Sequence, residues 1–470
     1  MPRPARPPVA RRPRPTAAGG NRQPPKRSQR ERLLDAMIEL SAEGGYQAVS
    51  VAQVSSRARV SSATFYELFE GKEDCFVAAY RLVAERVLGQ MRAVQRQTLA
   101  SDADWQTAAR ASIGRLLTVI RDDPLAGRLL YIEAMAASDE ILEERRQVLA
   151  RLEERAERFL DSTPPRGSLL DLPTLALVGA LLTLISRHLR SHAEDDLPGL
   201  ADDLVTWVYA YAVPGRRKRW STGPRARLEH AGPRARAPEA PPPPASRKLP
   251  RGRHGLPAGV VARSQRTRII HATAEVMLAK GFPNATVADI VAAAGVARDV
   301  FYEHFTDKHH AFLEAQQHPT HHILDSCAGA YFAEDGWPER IWAVLRTLTE
   351  LIVENPALSH LRLVECYAAG PEAIRRAEEI TRSFTIFLEE GYRYRPQAEA
   401  LPRLCSQAIT GAIFEIVRRH IARDGGATLA AQLPQLTYVA IAPFTGAAEA
   451  IGLVERLARA AGRARARARG

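Results

Sequence analysis

Phe65-Tyr66-Glu67-Leu68-Phe69-Glu70-Gly71-Lys72 returns 236 positions later, diverged but in register, as Phe301-Tyr302-Glu303-His304-Phe305-Thr306-Asp307-Lys308. The same offset carries Gly45-Tyr46 onto Gly281-Phe282. It also carries Ser50-Val51-Ala52-Gln53-Val54 onto Thr286-Val287-Ala288-Asp289-Ile290, and Ala58-Arg59-Val60 onto Ala294-Gly295-Val296. Further along, Tyr131-Ile132-Glu133-Ala134 answers Leu363-Val364-Glu365-Cys366, now 232 apart, and His188 answers His420 at that same offset. Self-similarity at a fixed period is the mark of a duplicated unit, and a drifting offset means small changes of loop length. Each copy is roughly 200 residues, within the ordinary range for a domain.

Within each copy the apolar residues recur at helical spacing: Leu33, Leu34, Met37, Ile38 and Ser41 in the first, Ile269, Ile270, Ala274, Met277 and Leu278 in the second. Ser28 with Glu31 has capping-box spacing, and Gly44-Gly45 and Gly281 have the place of helix-ending glycines. Ser50 with Gln53, and Thr286 with Asp289, start a short helix. A tight turn and a second short helix with the Phe-Tyr pair follow. Helix, turn and helix within about twenty residues is the spacing of a DNA-reading module. Alternation of period two is nearly absent, so the fold class is all-α.

With these residues in place, the chain resembles the tetracycline-repressor-like (TetR/AcrR) transcriptional regulators. The resemblance rests on Ala58-x-Val60-Ser61-x-x-Thr64-Phe65-Tyr66-x-x-Phe69-x-x-Lys72 and on Ala294-Gly295-Val296-x-x-x-x-Phe301-Tyr302-x-x-Phe305-x-x-Lys308. It is strongest over 28–80 and 264–313. It implies two tandem units, each a three-helix helix-turn-helix head plus a helical-bundle body. The expected order is a basic Pro-rich arm (1–27), a first head (28–80), a first body (81–214) and a Pro/Arg-rich linker (215–260). A second head (261–313), a second body (314–462) and a basic tail (463–470) complete it.

The resemblance also implies that the second short helix of each head enters a major groove. Phe65, Phe69, Phe301 and Phe305, with Val60 and Val296, are then core. Tyr66 and Tyr302 face outward, where a phenol reaches a phosphate oxygen or packs on the rim. Lys72 and Lys308 stand at a helix start, where an ammonium and free amides both face phosphate. Ser50 and Thr286 cap a helix and lie within reach of phosphate. Ser61, Ser62, Thr64, Arg298 and His304 are the candidates for base edges. Arg298 is the sharpest, because guanidinium pairs with guanine in bidentate fashion. Both copies depart from the pattern. Arg59 replaces the usual turn glycine, while Ala297, Val300 and Asp299 weaken the second head's helix start and groove face. The two heads are therefore expected to read unlike half-sites.

Charge is unevenly placed. Residues 1–27 carry eight Lys/Arg and no acid, 215–260 a net +10, and five arginines run from Arg459 to the end. These segments carry +23 against +12 for the chain, leaving the remainder at −11. Basic runs of this kind contact polyanions or stay solvated. The linker, with its four consecutive prolines at 241–244, spans ~35–40 Å as a flexible chain, enough for half-sites ~34–36 Å apart. Cys75, Cys327, Cys366 and Cys405 show no disulfide-like or CxxC spacing, which points to a reducing, cytoplasmic setting. The longest apolar run, Leu175 to Ile185, is too short to span a bilayer.

The bodies hold two expected dimerising helix pairs, Leu172–His192 with Pro198–Val213 and Leu401–Arg423 with Pro434–Leu457. Either the two bodies pair within one chain, or whole chains pair as homodimers. Glu133 and Glu365, on apolar helices, either partner an arginine or face the cavity of an unidentified small-molecule effector, and are the weak ligand candidates. No P-loop, GxGxxG, HExxH or GxSxG is present, so nothing asks for an enzyme, and no cofactor is implied. A metal-responsive regulator is the alternative raised by His304, His309, His310, His318, His321 and His322, although Pro319 interrupts the His318/His322 spacing. A regulator in which only the first head reads DNA is another. The favoured reading is a ligand-responsive repressor whose partner is double-stranded DNA.

Overall fold

The computed structural model describes residues 28–99, 104–135, 139–162, 168–214, 257–318 and 320–469. The basic arm and linker residues 215–256 lie outside these. In the first copy the helices are α1 (Gln29–Gly44), α2 (Val51–Ala58), α3 (Ser62–Leu68), α4 (Lys72–Leu99), α5 (Trp105–Asp122), α6 (Pro124–Tyr131), α7 (Asp139–Ser162), α8 (Thr174–Arg190) and α9 (Ala201–Tyr209). The second head comprises α10 (Ala258–Lys280), α11 (Val287–Ala294), α12 (Arg298–His304) and α13 (Lys308–Gln317). Its body runs through α14 (Thr320–Phe332), α15 (Trp337–Glu354), α16 (Pro356–His360), α17 (Cys366–Ala369), α18 (Pro371–Ser383), α19 (Pro396–Glu399), α20 (Leu404–Asp424), α21 (Leu433–Thr445) and α22 (Ala447–Arg469).

Local chemistry explains the head boundaries. Ser28, Ser50 and Thr286 each form a reciprocal capping box with the residue three places on, satisfying two of the amides a helix start leaves open. Gly45 and Gly281 close α1 and α10 at φ +81° and +74°, backbone that favours glycine. Leu33, Leu34, Met37, Ile269, Ile270 and Met277 are buried, as helical spacing predicts. Phe65, Phe69, Phe301 and Phe305 close the head cores; each such ring contributes roughly 1.5–3 kcal/mol by burial. Val60 and Val296 sit at the core margin, half-buried.

Three boundaries differ from the sequence expectation. α10 begins at Ala258, inside the stretch read as linker, and α22 carries the helical backbone through Arg469 into the stretch read as tail. The long first-copy α4 has a two-helix counterpart, α13 then α14, with the interruption that Pro319 led the sequence reading to expect. The expected helix over Pro434–Leu457 is two helices. Gly446 turns the chain at φ +91°, and a side chain there would run into the Arg395 guanidinium. A two-stranded antiparallel ribbon, β1 (Ser168–Leu170) with β2 (Ala212–Pro214), was not anticipated.

The bodies of the two copies pack on each other within the one chain, principally through α8 and α20. A Cβ on Gly179 would stand 2.7 Å from Glu415 Cβ, and a Cβ on Gly411 would stand 2.7 Å from Thr183 Cβ. Gly179 and Gly411 are 232 positions apart, and so are Thr183 and Glu415. Each glycine therefore receives the residue equivalent to the one its counterpart receives, which is the signature of an isologous, twofold-related contact. The Tyr211 hydroxyl donates to the Val439 carbonyl at 2.7 Å, and Arg419 pairs with Glu153 at 2.6 Å. One apolar core runs from the first head through both bodies, while the second head has its own around Ile269, Phe301 and Phe312.

Candidate nucleic-acid interface

In the first head the turn between α2 and α3 is made by Arg59 in left-handed backbone (φ 54°, ψ 49°). Gly295 takes the same place in the second (φ 59°, ψ 42°). The turn thus keeps its shape in both copies, and only the second has the residue that adopts it without steric cost. Ser61 caps α3, its hydroxyl accepting from the Thr64 N–H at 3.0 Å. Ala297 cannot cap α12.

The outward face carries the residues singled out by sequence. Tyr66 is 60% exposed and Tyr302 47%, while Phe65 and Phe301 beside them are fully buried. Ser50, Ser61, Ser62, Thr286 and Arg298 are exposed and Thr64 is half-buried. Arg298 lies over its own neighbour: its guanidinium is 5.7 Å from the Tyr302 ring and donates to that hydroxyl at 3.4 Å. His304 is half-buried against Phe305, with Nε2 closed off and lacking a hydrogen-bond partner, so a base contact requires the ring to swing out.

The two lysines are placed otherwise than expected. Lys72 Nζ donates to the Tyr46 and Gln47 carbonyls at 3.3 and 3.5 Å and stands over the Tyr46 ring. Lys308 Nζ donates to Phe282, Pro283 and Ala285 carbonyls and stands over the Phe282 ring. Burial holds both ammonium groups below the ordinary lysine value. Each ammonium fastens the end of its head's first helix, and a phosphate contact would have to share it.

Glu133 and Glu365 do not line the cavity between the bodies, and each takes a backbone amide. Glu133 accepts from the Tyr46 N–H at 3.2 Å, and Glu365, at the end of a π turn (Leu361–Glu365), accepts from the Phe282 N–H at 2.8 Å. Burial raises the Glu133 carboxyl, against the pull of the Tyr46 N–H and Arg128. The histidines named for metal are likewise engaged separately. His309 meets the Ala369 carbonyl, His310 meets Thr306 and His318 packs on His271. Among the described residues no three His, Cys, Asp or Glu stand together as a metal set.

Sequence reasoning passed over Arg30, on the first turn of α1, and Arg266, farther along α10. Their guanidinium groups lie 5.3 and 5.6 Å from the Phe69 and Phe305 rings. Both pairs keep the offset of 236, which was the available signal. Among the described residues no helix is long and apolar enough to cross a membrane.

The two heads match the family model described as "Bacterial regulatory proteins, tetR family" over residues 33–79 and 269–315. Relatives include the HTH-type transcriptional repressor KstR of Mycolicibacterium smegmatis, 31% identical over 21% of this chain and 47% of that protein. The HTH-type transcriptional activator FasR of the same organism is 29% identical over 24% of this chain and 52% of that protein. The chain thus spans about half the length of these curated relatives. Among solved structures, the fatty acid degradation regulator FadR from Bacillus halodurans is 20% identical, covering 41% of this chain and 99% of that one, at a TM-score of 0.35.

Proposed function

Because the chain belongs to the TetR family of regulatory proteins and carries that family's DNA-binding head twice, we propose that it is a sequence-specific transcriptional regulator acting as an intrachain pseudo-dimer. The observation that carries this reading is the pairing of α8 with α20 through equivalent glycines, in a chain with a reading head on each side. Tethering puts the partner at an effective concentration near millimolar, so dimerisation needs no second chain. Tyr66 and Tyr302 serve as phosphate ligands, Ser50 and Thr286 as caps near phosphate, and Ser61, Ser62, Thr64, Arg298 and His304 as the base-facing set. Lys72 and Lys308 hold the heads to shape. The two base-facing sets differ, so the operator has unlike half-sites.

The relatives include a repressor and an activator by name; repression is the mode proposed here. A small molecule bound in the bodies changes the separation of the heads, and only an effector with unequal affinity for the two arrangements shifts the balance. A second reading, with only the first head reading DNA, is favoured by the uncapped start of α12 and the exposed Asp299.

The test is light scattering of the purified chain together with selection of its target from random DNA. A monomer on an asymmetric site supports the pseudo-dimer. A dimer of chains on a perfect palindrome overturns it.

A further inference from the structure

Resting on the reading of the chain as effector-responsive, we infer that the junction between its two copies holds a single anion site per chain, fitted to a compact organic anion with an apolar part. The two sides of the pseudo-twofold axis are built differently. On one side the space between α7, α8 and α20 is filled by charge. Glu415 is paired with Arg418 at 2.6 Å and Arg419 at 3.0 Å, Arg419 with Glu153 at 2.6 Å, and Arg145 is buried beside them. Burial alone would raise the Glu415 carboxyl; Arg418, Arg419 and Arg145 outweigh it and hold it well below the usual range.

The equivalent positions on the other side, each 232 residues away, are Thr183 for Glu415, Ser186 for Arg418, Thr385 for Glu153 and Ala377 for Arg145. Only Arg419 keeps its counterpart, Arg187. Four charged side chains have become small ones, and a cavity of about 100 Å³ lies there, lined by all five of those residues; Glu415, its charge taken up by Arg418 and Arg419, also reaches the wall. Arg187 has lost the carboxylate that its twin holds and donates instead to Gln407 at 2.5 Å.

A second cation, Arg382, enters from α18 at the position of Ala150, and its charge adds to burial in lowering the Arg187 guanidinium. Neither arginine has an ion-pair partner among the described residues. Arg190, which also lines the cavity and pairs with Glu378, keeps Nε and Nη1 buried without partners. Two like charges facing one cavity are relieved by an anion. Leu363, Ile374 and Phe414 supply the apolar wall. At about 100 Å³ the cavity is smaller than the closed apolar void of ~150 Å³ that takes a benzene ring. It is partly open to solvent and lined from both copies, so a benzoate-sized anion fits with part of its surface outside the walls.

Calorimetry on the full chain without DNA, using benzoate and phenyl phosphate against neutral benzyl alcohol and inorganic phosphate, tests the site. The expected result is one aromatic anion per chain, carboxylate or phosphate being told apart by which of the two binds. Benzyl alcohol and inorganic phosphate should bind at least about tenfold more weakly. Arg187→Gln and Arg382→Gln should each weaken binding about tenfold. Ala377→Leu should block it, and Arg393→Gln, on the exposed surface away from the cavity, should leave it unchanged. Circular dichroism confirms that each variant folds. Two molecules per chain, equal binding of benzyl alcohol, unchanged affinity in both arginine variants, or no heat from either anion at millimolar concentration overturns the proposal. A gel shift of the operator read in parallel separates the two claims. Anion binding without any DNA binding leaves the site standing and removes the regulator reading.

Discussion

The carboxylate of Glu133 takes a hydrogen bond from the Tyr46 N–H, 3.2 Å away and 87 residues earlier in the chain. The same loop has its Tyr46 carbonyl held by Lys72 and its ring beneath that ammonium. The second copy repeats the arrangement with Glu365, Phe282 and Lys308. A body residue and a residue at the start of α4 or α13 thus grip the end of each head's first helix from both sides. The grip ties each head's first helix to the body of its own copy.

Glu133 gives this junction a pH dependence. Its carboxyl is raised above 4.5 by burial, so the folded state binds the proton more readily than the unfolded chain. Stability is therefore lost as pH rises through the interval above 4.5 and levels off beyond the folded value. Urea midpoints across that interval should slope downward in the wild type and flatten in Glu133→Gln, which keeps an acceptor for Tyr46. Glu133→Ala, which leaves the amide unmet, should cost about 1–3 kcal/mol.

Gly179 and Gly411 set how closely α8 and α20 approach. A methyl group at Gly179 would meet the Ala412 backbone at 3.3 Å as well as Glu415. Gly179→Ala and Gly411→Ala should each lower stability by about 1–3 kcal/mol through overpacking. Chemical denaturation reads this directly, and a change below a few tenths would show that the helices part freely.

Arg59 occupies left-handed backbone that a side chain adopts at a cost, and Gly295 shows the relaxed solution. Arg59→Gly should be neutral to stabilising by up to about 1 kcal/mol, while Gly295→Ala should destabilise by about 1 kcal/mol. If Arg59 has been kept for phosphate, Arg59→Gly will also lower the salt dependence of DNA binding by about one counterion. Thermal unfolding and a salt titration of DNA affinity separate the two effects.

The exposed phenols offer the cleanest test of the heads. Tyr66→Phe and Tyr302→Phe should each weaken DNA binding about tenfold on every sequence, since a phosphate contact carries no base information. Fluorescence anisotropy on specific and random duplexes reads the change. No loss in Tyr302→Phe with loss in Tyr66→Phe would select the single-reader alternative.

The sequence alone determined the duplication, the helical class, the capped head helices and the division of Phe from Tyr on α3 and α12. These follow from local chemistry: a cap bonds three residues away, a helical face repeats within two turns, and a duplication keeps its offset. The sequence also led to Glu133 and Glu365 as paired exceptions on apolar helices, but their partners were backbone amides, which carry no side-chain signature. Only the tertiary structure decided that Lys72 and Lys308 spend their ammonium groups on carbonyls of the preceding loop. It alone showed that Arg145, Glu153 and Glu415 fill one side of the junction while Ala377, Thr385 and Thr183 leave the other open. Those contacts join residues far apart along the chain, and a charge declares itself as paired or unpaired only when the fold has chosen its neighbours.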